Sequence, residues 1–281
     1  MNKVIFFDVD GTLVGKSQKI TENNQKALSL LRKNGYKVFL CTGRMTLSAM
    51  IGLEETEIDG MITLAGGVVY VGNDIIFENK IDKNLLKKVI QLFDEHHIYY
   101  SLETRLGNFH TKGLQDFYLN WIDEHYKDNP VAKATLKADK IGKNQYLIRD
   151  FHMNEMNVQK MTFIAEKREN FEIIQSQLED IFNINYFSQN EKYIDGELIL
   201  KDCTKITGIE KILQYYQSDI SHTVAFGDSM NDYEMLSYVD TAIAYINAPE
   251  QLKALAIDYF DNPDQDGIYQ TLLKQGFIDS L

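Results

Sequence analysis

Phe7-Asp8-Val9-Asp10-Gly11-Thr12-Leu13 sets two carboxylates two positions apart directly after the short apolar run Lys3 to Phe7. Such a run is the pattern of a parallel strand buried on both faces. Residues i and i+2 of a strand point the same way, so Asp8 and Asp10 are expected to face one spot at the strand's carboxyl end. Two like charges that close need a cation, a shared proton, or both. The bland alternative is a solvated Asp-Gly turn, which seldom follows so apolar a strand. An EF-hand loop is excluded, because it needs Gly at its sixth position and Glu at its twelfth. Counted from Asp8, Gly11 is fourth and Lys19 twelfth.

Working outward, Thr21 is a plausible N-cap for a helix with apolar positions at Ala27, Leu28, Leu30 and Leu31, and Gly35 is placed to end it. Tyr36 to Cys41 and Gly60 to Leu64 read as further strands. The rhythm of strand, helix, strand, helix, strand implies a parallel doubly wound sheet, whose ligands bind at the carboxyl ends of the strands. The same rhythm returns late in the chain. Helices are expected at Thr204 to Gln217, Asn231 to Ser237 and Glu250 to Ala256, and strands at Thr223 to Phe226 and Thr241 to Tyr245.

Between the halves the texture changes. Helical stretches at Lys83 to His97, Asp116 to Tyr126 and Phe171 to Phe182 lie among strand-like segments at Ile98 to Glu103, Lys160 to Glu166 and Tyr193 to Leu200. The expected organisation is an α/β core domain over 1–81 and 197–281, with an α+β cap domain inserted over 82–196. Within the cap, Phe117, Tyr118 and Trp121 are spaced like the buried face of a helix. His96 and His97 invite a metal reading, but neighbours on a helix do not face one another, and a solvated helix end is the simpler account.

Composition sets limits. The chain has 281 residues, is 44% apolar and 25% charged, and has no apolar run long enough for a membrane helix. Too few apolar residues follow Met1-Asn2-Lys3 for a secretory signal, so a cytoplasmic protein is expected. Two cysteines, Cys41 and Cys203, cannot build a disulfide framework and are given no chemical role. The formal charge of −12 disfavours a nucleic-acid backbone or an anionic membrane as partner.

Three more segments carry chemistry. In Val224-Ala225-Phe226-Gly227-Asp228-Ser229-Met230-Asn231-Asp232 a strand again runs into acids. If the segment opens a helix, Asp228 and Asp232 share a face near its start. Acids at a helix start are often mere caps, but convergence with Asp8 and Asp10 would supply the oxygen ligands that hard Mg²⁺ requires. Leu40-Cys41-Thr42-Gly43-Arg44 ends a strand in a hydroxyl and a flexible Gly, a weak signal alone. Lys205 stands at a helix start, where a cation opposes the dipole and calls for a reason.

Asp8-Val9-Asp10-Gly11-Thr12, then Thr42-Gly43-Arg44, then Lys205, then Gly227-Asp228-x-x-Asn231-Asp232 resembles, as an ordered set, the haloacid-dehalogenase-like superfamily, and specifically its Cof-like phosphatases. Because 160 residues lie between Arg44 and Lys205, the resemblance is to the subgroup with a type 2 (C2B) cap. It implies a Mg²⁺-dependent phosphatase acting on sugar phosphates or phosphorylated cofactors through an aspartyl-phosphate. Asp8 would be the nucleophile and Asp10 the acid and base. Asp8, the Asp10 carbonyl and Asp228 would hold Mg²⁺ with Asp232 in support, while Thr42, Gly43, Lys205 and Asn231 would contact phosphate. Phosphosugar mutases look similar, and a regulatory protein on the same fold is the other alternative. Three departures from the family pattern stand out: Ala65-Gly66 where Asn-Gly is usual, Tyr245-Ile246 near the fifth strand, and no Gly directly after Lys205.

Overall fold

Val4 to Phe7 are wholly buried and form strand β1 (Lys3–Phe7), fourth of eight in a sheet. The structure, a computed structural model, describes residues 3–189 and 192–280. The chain divides into two compact units, one running to Glu78 and resuming at Cys203, the other Asn79–Asp202.

In the first unit β1 is followed by α1 (Glu22–Lys33), β2 (Tyr36–Cys41), β3 (Gly60–Thr63), β4 (Val68–Val71) and β5 (Asp74–Glu78). The second unit contains α2 (Lys83–Glu95), β6 (Tyr99–Thr104), β7 (Gly107–His110), α3 (Lys112–His125), α4 (Pro130–Ile141), β8 (Gln145–Leu147), β9 (Lys160–Ala165), α5 (Arg168–Glu179), β10 (Phe182–Gln189) and β11 (Ile194–Leu200). The chain then returns to the first unit with α6 (Lys205–Tyr216), β12 (Thr223–Gly227), α7 (Tyr233–Tyr238), β13 (Thr241–Tyr245), α8 (Glu250–Lys253), β14 (Asp258–Phe260) and α9 (Gly267–Lys274).

The first sheet has the order β14-β13-β12-β1-β2-β3-β4-β5, parallel from β14 to β3 and antiparallel in the β4–β5 hairpin. Alternation along β1 feeds two cores. Ile5 and Phe7 pack with Leu28 and Leu31 of α1 and Leu272 of α9, while Val4 and Phe6 pack with Ile209 and Ile212 of α6 and Leu236 of α7. A strand buried on both faces is therefore what its unbroken apolar run encodes. Local signals also hold at helix ends: Thr21 accepts from the Asn24 N–H and Gly35 adopts φ +87° after α1.

Three local expectations change. Between β2 and β3 the described residues form a single 3₁₀ turn at Thr46–Ser48 rather than a second α-helix. The β4–β5 hairpin, turning at Gly72 (φ +56°), has no clear pattern in the sequence, because its strands are short and one of them is largely unburied. Asn231 lies in a 3₁₀ turn, Met230–Asp232, and α7 begins only at Tyr233.

The second unit has a six-stranded sheet of order β10-β11-β9-β6-β7-β8, antiparallel except at β7–β8. One face carries α2 and α5 through Phe93, Phe163 and Phe171, the last two stacked at 4.3 Å. On this sheet Lys160 is buried between Glu197 (2.6 Å) and Glu103 (3.3 Å). The unit spans three residues more than expected at its start and six more at its end, for a structural reason: Ile81 belongs to its core, and β11 pairs along its length to Leu200. In α3 the buried residues are Leu114 and Ile122, whereas Phe117, Tyr118 and Trp121 are only half-buried, so the three aromatics do not form the helix's core face. His97 lies just past the end of α2 in a left-handed conformation.

Candidate active site

β1 ends at Phe7, and the Asp8 N–H continues its ladder by donating to the Phe226 carbonyl at 3.0 Å. This carries the Asp8 carboxylate to the carboxyl edge of the sheet, 3% exposed. Across the edge, α6 begins at Lys205 behind a Thr204 cap that exchanges hydrogen bonds with Thr207. Lys205 Nζ donates to Asp8 Oδ1 at 2.7 Å and to Asp232 Oδ1 at 2.5 Å. The cation that opposes the helix dipole thus has its reason in two buried carboxylates.

Asp232 reaches this point by capping. It is the third residue of the turn after Ser229, and its Oδ2 accepts from the backbone N–H groups of Asp228 (2.9 Å) and Ser229 (3.3 Å). Convergence with Asp228 therefore does not come from a shared helix face. Asp228 holds its place through Thr12 Oγ1, which donates to Oδ1 at 3.2 Å. Gly11 makes room: at φ +91° a Cβ there would lie 2.3 Å from Asp228 Oδ2, so only Gly fits.

Charges in this cluster are unbalanced. Burial, which alone would favour the neutral amine, is outweighed by Asp232 and Asp8, and Lys205 keeps its proton well above the usual lysine range. Asp8 is driven in the proton-holding direction by burial and then by Asp232, against the pull of Lys205. Burial and then Asp232 push the Asp228 carboxyl up to about 6. One ammonium among three carboxylates leaves a deficit that a divalent cation would fill. Ligand oxygens of Asp8, Asp228 and Asp232 lie within 4.8 Å of one another, and an all-oxygen set suits a hard divalent ion. Both Asp232 oxygens are already engaged, so Asp8 and Asp228 would be the better direct ligands of such an ion, with Asp232 in support.

The other expected site residues are placed as follows. Asp10 does not turn toward Lys205. Its side chain is 57% exposed and both oxygens pair with Arg44, Nε to Oδ2 at 2.8 Å and Nη2 to Oδ1 at 2.7 Å. The strand period fails here because β1 has ended and the chain turns at Gly11. Thr42 is buried at the end of β2 with its Oγ1 accepting from the Arg44 N–H at 3.1 Å, and Gly43 has open space where a Cβ would be. Asn231 is exposed and accepts from Ser229 Oγ at 2.9 Å. Buried Cys41 stays a thiol, since burial pushes it up to about 12. Sequence reasoning gave Arg44 no role. Its only signal was a cation in a strand-end loop on the same sheet edge as the acids.

The model of the haloacid dehalogenase-like hydrolase family matches residues 5–272. The Bacillus subtilis protein YkrA is 26% identical over 99% of both chains. 5-Amino-6-(5-phospho-D-ribitylamino)uracil phosphatase YitU of Bacillus subtilis is 23% identical over 98% of this chain and 97% of its own. Among solved structures, a sugar phosphatase of HAD subclass IIB superposes with a TM-score of 0.73 at 24% identity, covering 99% of this chain and all of its own.

Proposed function

Since the chain belongs to the haloacid dehalogenase-like hydrolases and is a phosphatase, we propose that it is Mg²⁺-dependent and hydrolyses small phosphomonoesters, sugar phosphates or phosphorylated cofactors, with Asp8 as nucleophile. The observation that carries this reading is the buried Asp8 carboxylate, held by one oxygen on Lys205 beside Asp228 and Asp232. A carboxylate fixed in that way has its second oxygen available and loses little freedom on attack.

In this reading Asp8 attacks phosphorus, the bond to the leaving oxygen breaks, and an aspartyl-phosphate forms. Asp10, turning from Arg44, gives its proton to the leaving alkoxide. It then takes a proton from the water that attacks the same phosphorus, which releases phosphate and restores Asp8. Lys205 holds a phosphoryl oxygen, and Thr42 with the open backbone at Gly43 and the Asn231 amide lines the rest of that cradle. Mg²⁺, when bound by Asp8, the Asp10 carbonyl and Asp228, offsets repulsion between the carboxylate and the phosphate.

The test is phosphate release from a panel of phosphorylated metabolites with Mg²⁺ and with EDTA, beside Asp8→Asn. Turnover that needs both the metal and Asp8 is expected. Equal turnover by the Asp8→Asn variant would sink the mechanism.

A further inference from the structure

Asp10 and Arg44 are unequal partners. Both Asp10 oxygens rest on the guanidinium, on Nε at 2.8 Å and on Nη2 at 2.7 Å, yet the Asp10 side chain is 57% exposed and that of Arg44 only 15%. Their anchorage differs as well. Nη1 of Arg44 donates to the Ser48 and Ile51 carbonyls at 3.2 and 2.7 Å, and the Arg44 N–H donates to Thr42 Oγ1 at 3.1 Å, so the residue is tied to its own loop at both ends. Among the described residues the Asp10 carboxylate has no partner besides Arg44.

On the reading of Asp10 as acid and base, its carboxylate leaves the fork in every turnover, and the tethered guanidinium cannot follow. The departure strips a largely buried cation of its counter-charge, which is costly unless another anion takes the place. The loop offers no substitute. Glu54, whose ionised form Arg44 also favours, is exposed and turns Oε1 to the Gly52 N–H at 3.0 Å. The vacated fork presents parallel N–H donors, a shape that matches two oxygens of one oxyanion.

We propose that Arg44 is an exchange clamp, which holds Asp10 in the resting enzyme and takes an oxyanion of the substrate, phosphoryl or carboxylate, when Asp10 turns to act. Binding of the anion frees the acid, and return of the acid helps to expel an anionic product. Arg44 then touches substrate, a role beyond the placement of Asp10.

Calorimetric titration in excess MgCl₂ reads this exchange without turnover when the probes cannot be hydrolysed. Methylphosphonate carries one anionic group, and 3-phosphonopropionate adds a carboxylate. Asp10→Ala removes the competitor from an exposed position and is expected to bind a probe roughly tenfold or more tightly than the wild type, the scale of a hydrogen-bonded charge. Adding Arg44→Lys to Asp10→Ala keeps the charge but not the fork, and should abolish most of that gain. A gain for both probes assigns the fork to phosphoryl oxygens; a gain for 3-phosphonopropionate alone assigns it to a second anion on the substrate. No gain with either probe overturns the proposal, and so does a gain that survives Arg44→Lys, since loss of one negative charge would then account for it. Hydrolysis by the wild type is assayed apart. Activity without this binding pattern removes the clamp alone, whereas the pattern without activity leaves the anion exchange standing and removes the hydrolytic mechanism.

Discussion

Arg44 grips Asp10 with two parallel hydrogen bonds, 2.7 and 2.8 Å, while its remaining nitrogen donates to the carbonyls of Ser48 (3.2 Å) and Ile51 (2.7 Å). The guanidinium therefore couples the carboxylate after β1 to the loop after β2. A planar fork can do this and an ammonium cannot.

If Asp10 is the acid and base, it leaves that fork to act, and the fork fixes the position it starts from. Arg44→Ala is expected to lower kcat about ten- to a hundredfold, the scale of a small misplacement of a reacting group, with divalent-ion affinity little changed. Arg44→Lys should restore little, because a point charge cannot orient both oxygens. Steady-state kinetics on a phosphomonoester checks both, and a kcat near wild type in Arg44→Ala would show that the pairing does not position Asp10.

Lys205 is the only cation paired with Asp8 and Asp232 among the described residues, and all three side chains are at most 5% exposed. Lys205→Met strands two buried carboxylates, a change that costs about 3–5 kcal/mol when a buried pair loses one partner. Urea unfolding without divalent ions should show that loss. Added Mg²⁺ should recover part of it, since the ion would supply the missing positive charge.

The Asp228 carboxyl sits at about 6 instead of its ordinary 3.8, pushed up by burial and then by Asp232. Between those values the folded protein holds a proton that the unfolded chain has released. Stability of the ion-free protein is therefore expected to fall as pH rises through this window. A divalent ion competes with that proton and with the one Asp8 is driven to hold, so its affinity should rise with pH, by at least about tenfold per unit below 6. Calorimetric titration of Mg²⁺ at pH 5, 6 and 7, beside Asp228→Asn, tests this; an affinity and pH dependence unchanged in the variant would remove Asp228 from the ligands.

Leu64, Ala65 and Gly66 follow β3 with φ of +53°, +56° and +106°. Ala65, where the family pattern has Asn, holds a left-handed conformation that costs an L-residue about 1–2 kcal/mol. Ala65→Gly is expected to stabilise the protein by about 1 kcal/mol, read as a higher urea midpoint at unchanged slope. Gly66→Ala should do the reverse, because its Cβ would stand 2.0 Å from the Thr204 carbonyl oxygen, just before Lys205.

Much of this protein is legible in local pattern. Tyr36 to Cys41 has the expected bounds, and Thr204 with Gln217 flanks a helix over Lys205–Tyr216, because apolar periodicity and cap residues act over a few positions. β10 carries no such local signal, since Phe182–Gln189 mixes polar and apolar residues; it is a strand because β11 offers it a register.

By itself the sequence determined which groups stand at the carboxyl edge of the sheet: Asp8 after β1, Thr42 after β2, Asp228 after β12 and Lys205 at the start of α6. Buried strands end where their apolar runs end, so those positions need no knowledge of the rest of the chain. Tertiary structure decided what each group meets. Lys205 lies 197 positions from Asp8, Arg44 turns Asp10 aside, and Asp232 reaches the cluster through a backbone cap. Those pairings follow from strand order, helix packing and the balance of buried charge, which are properties of the folded chain and are not written in any one segment.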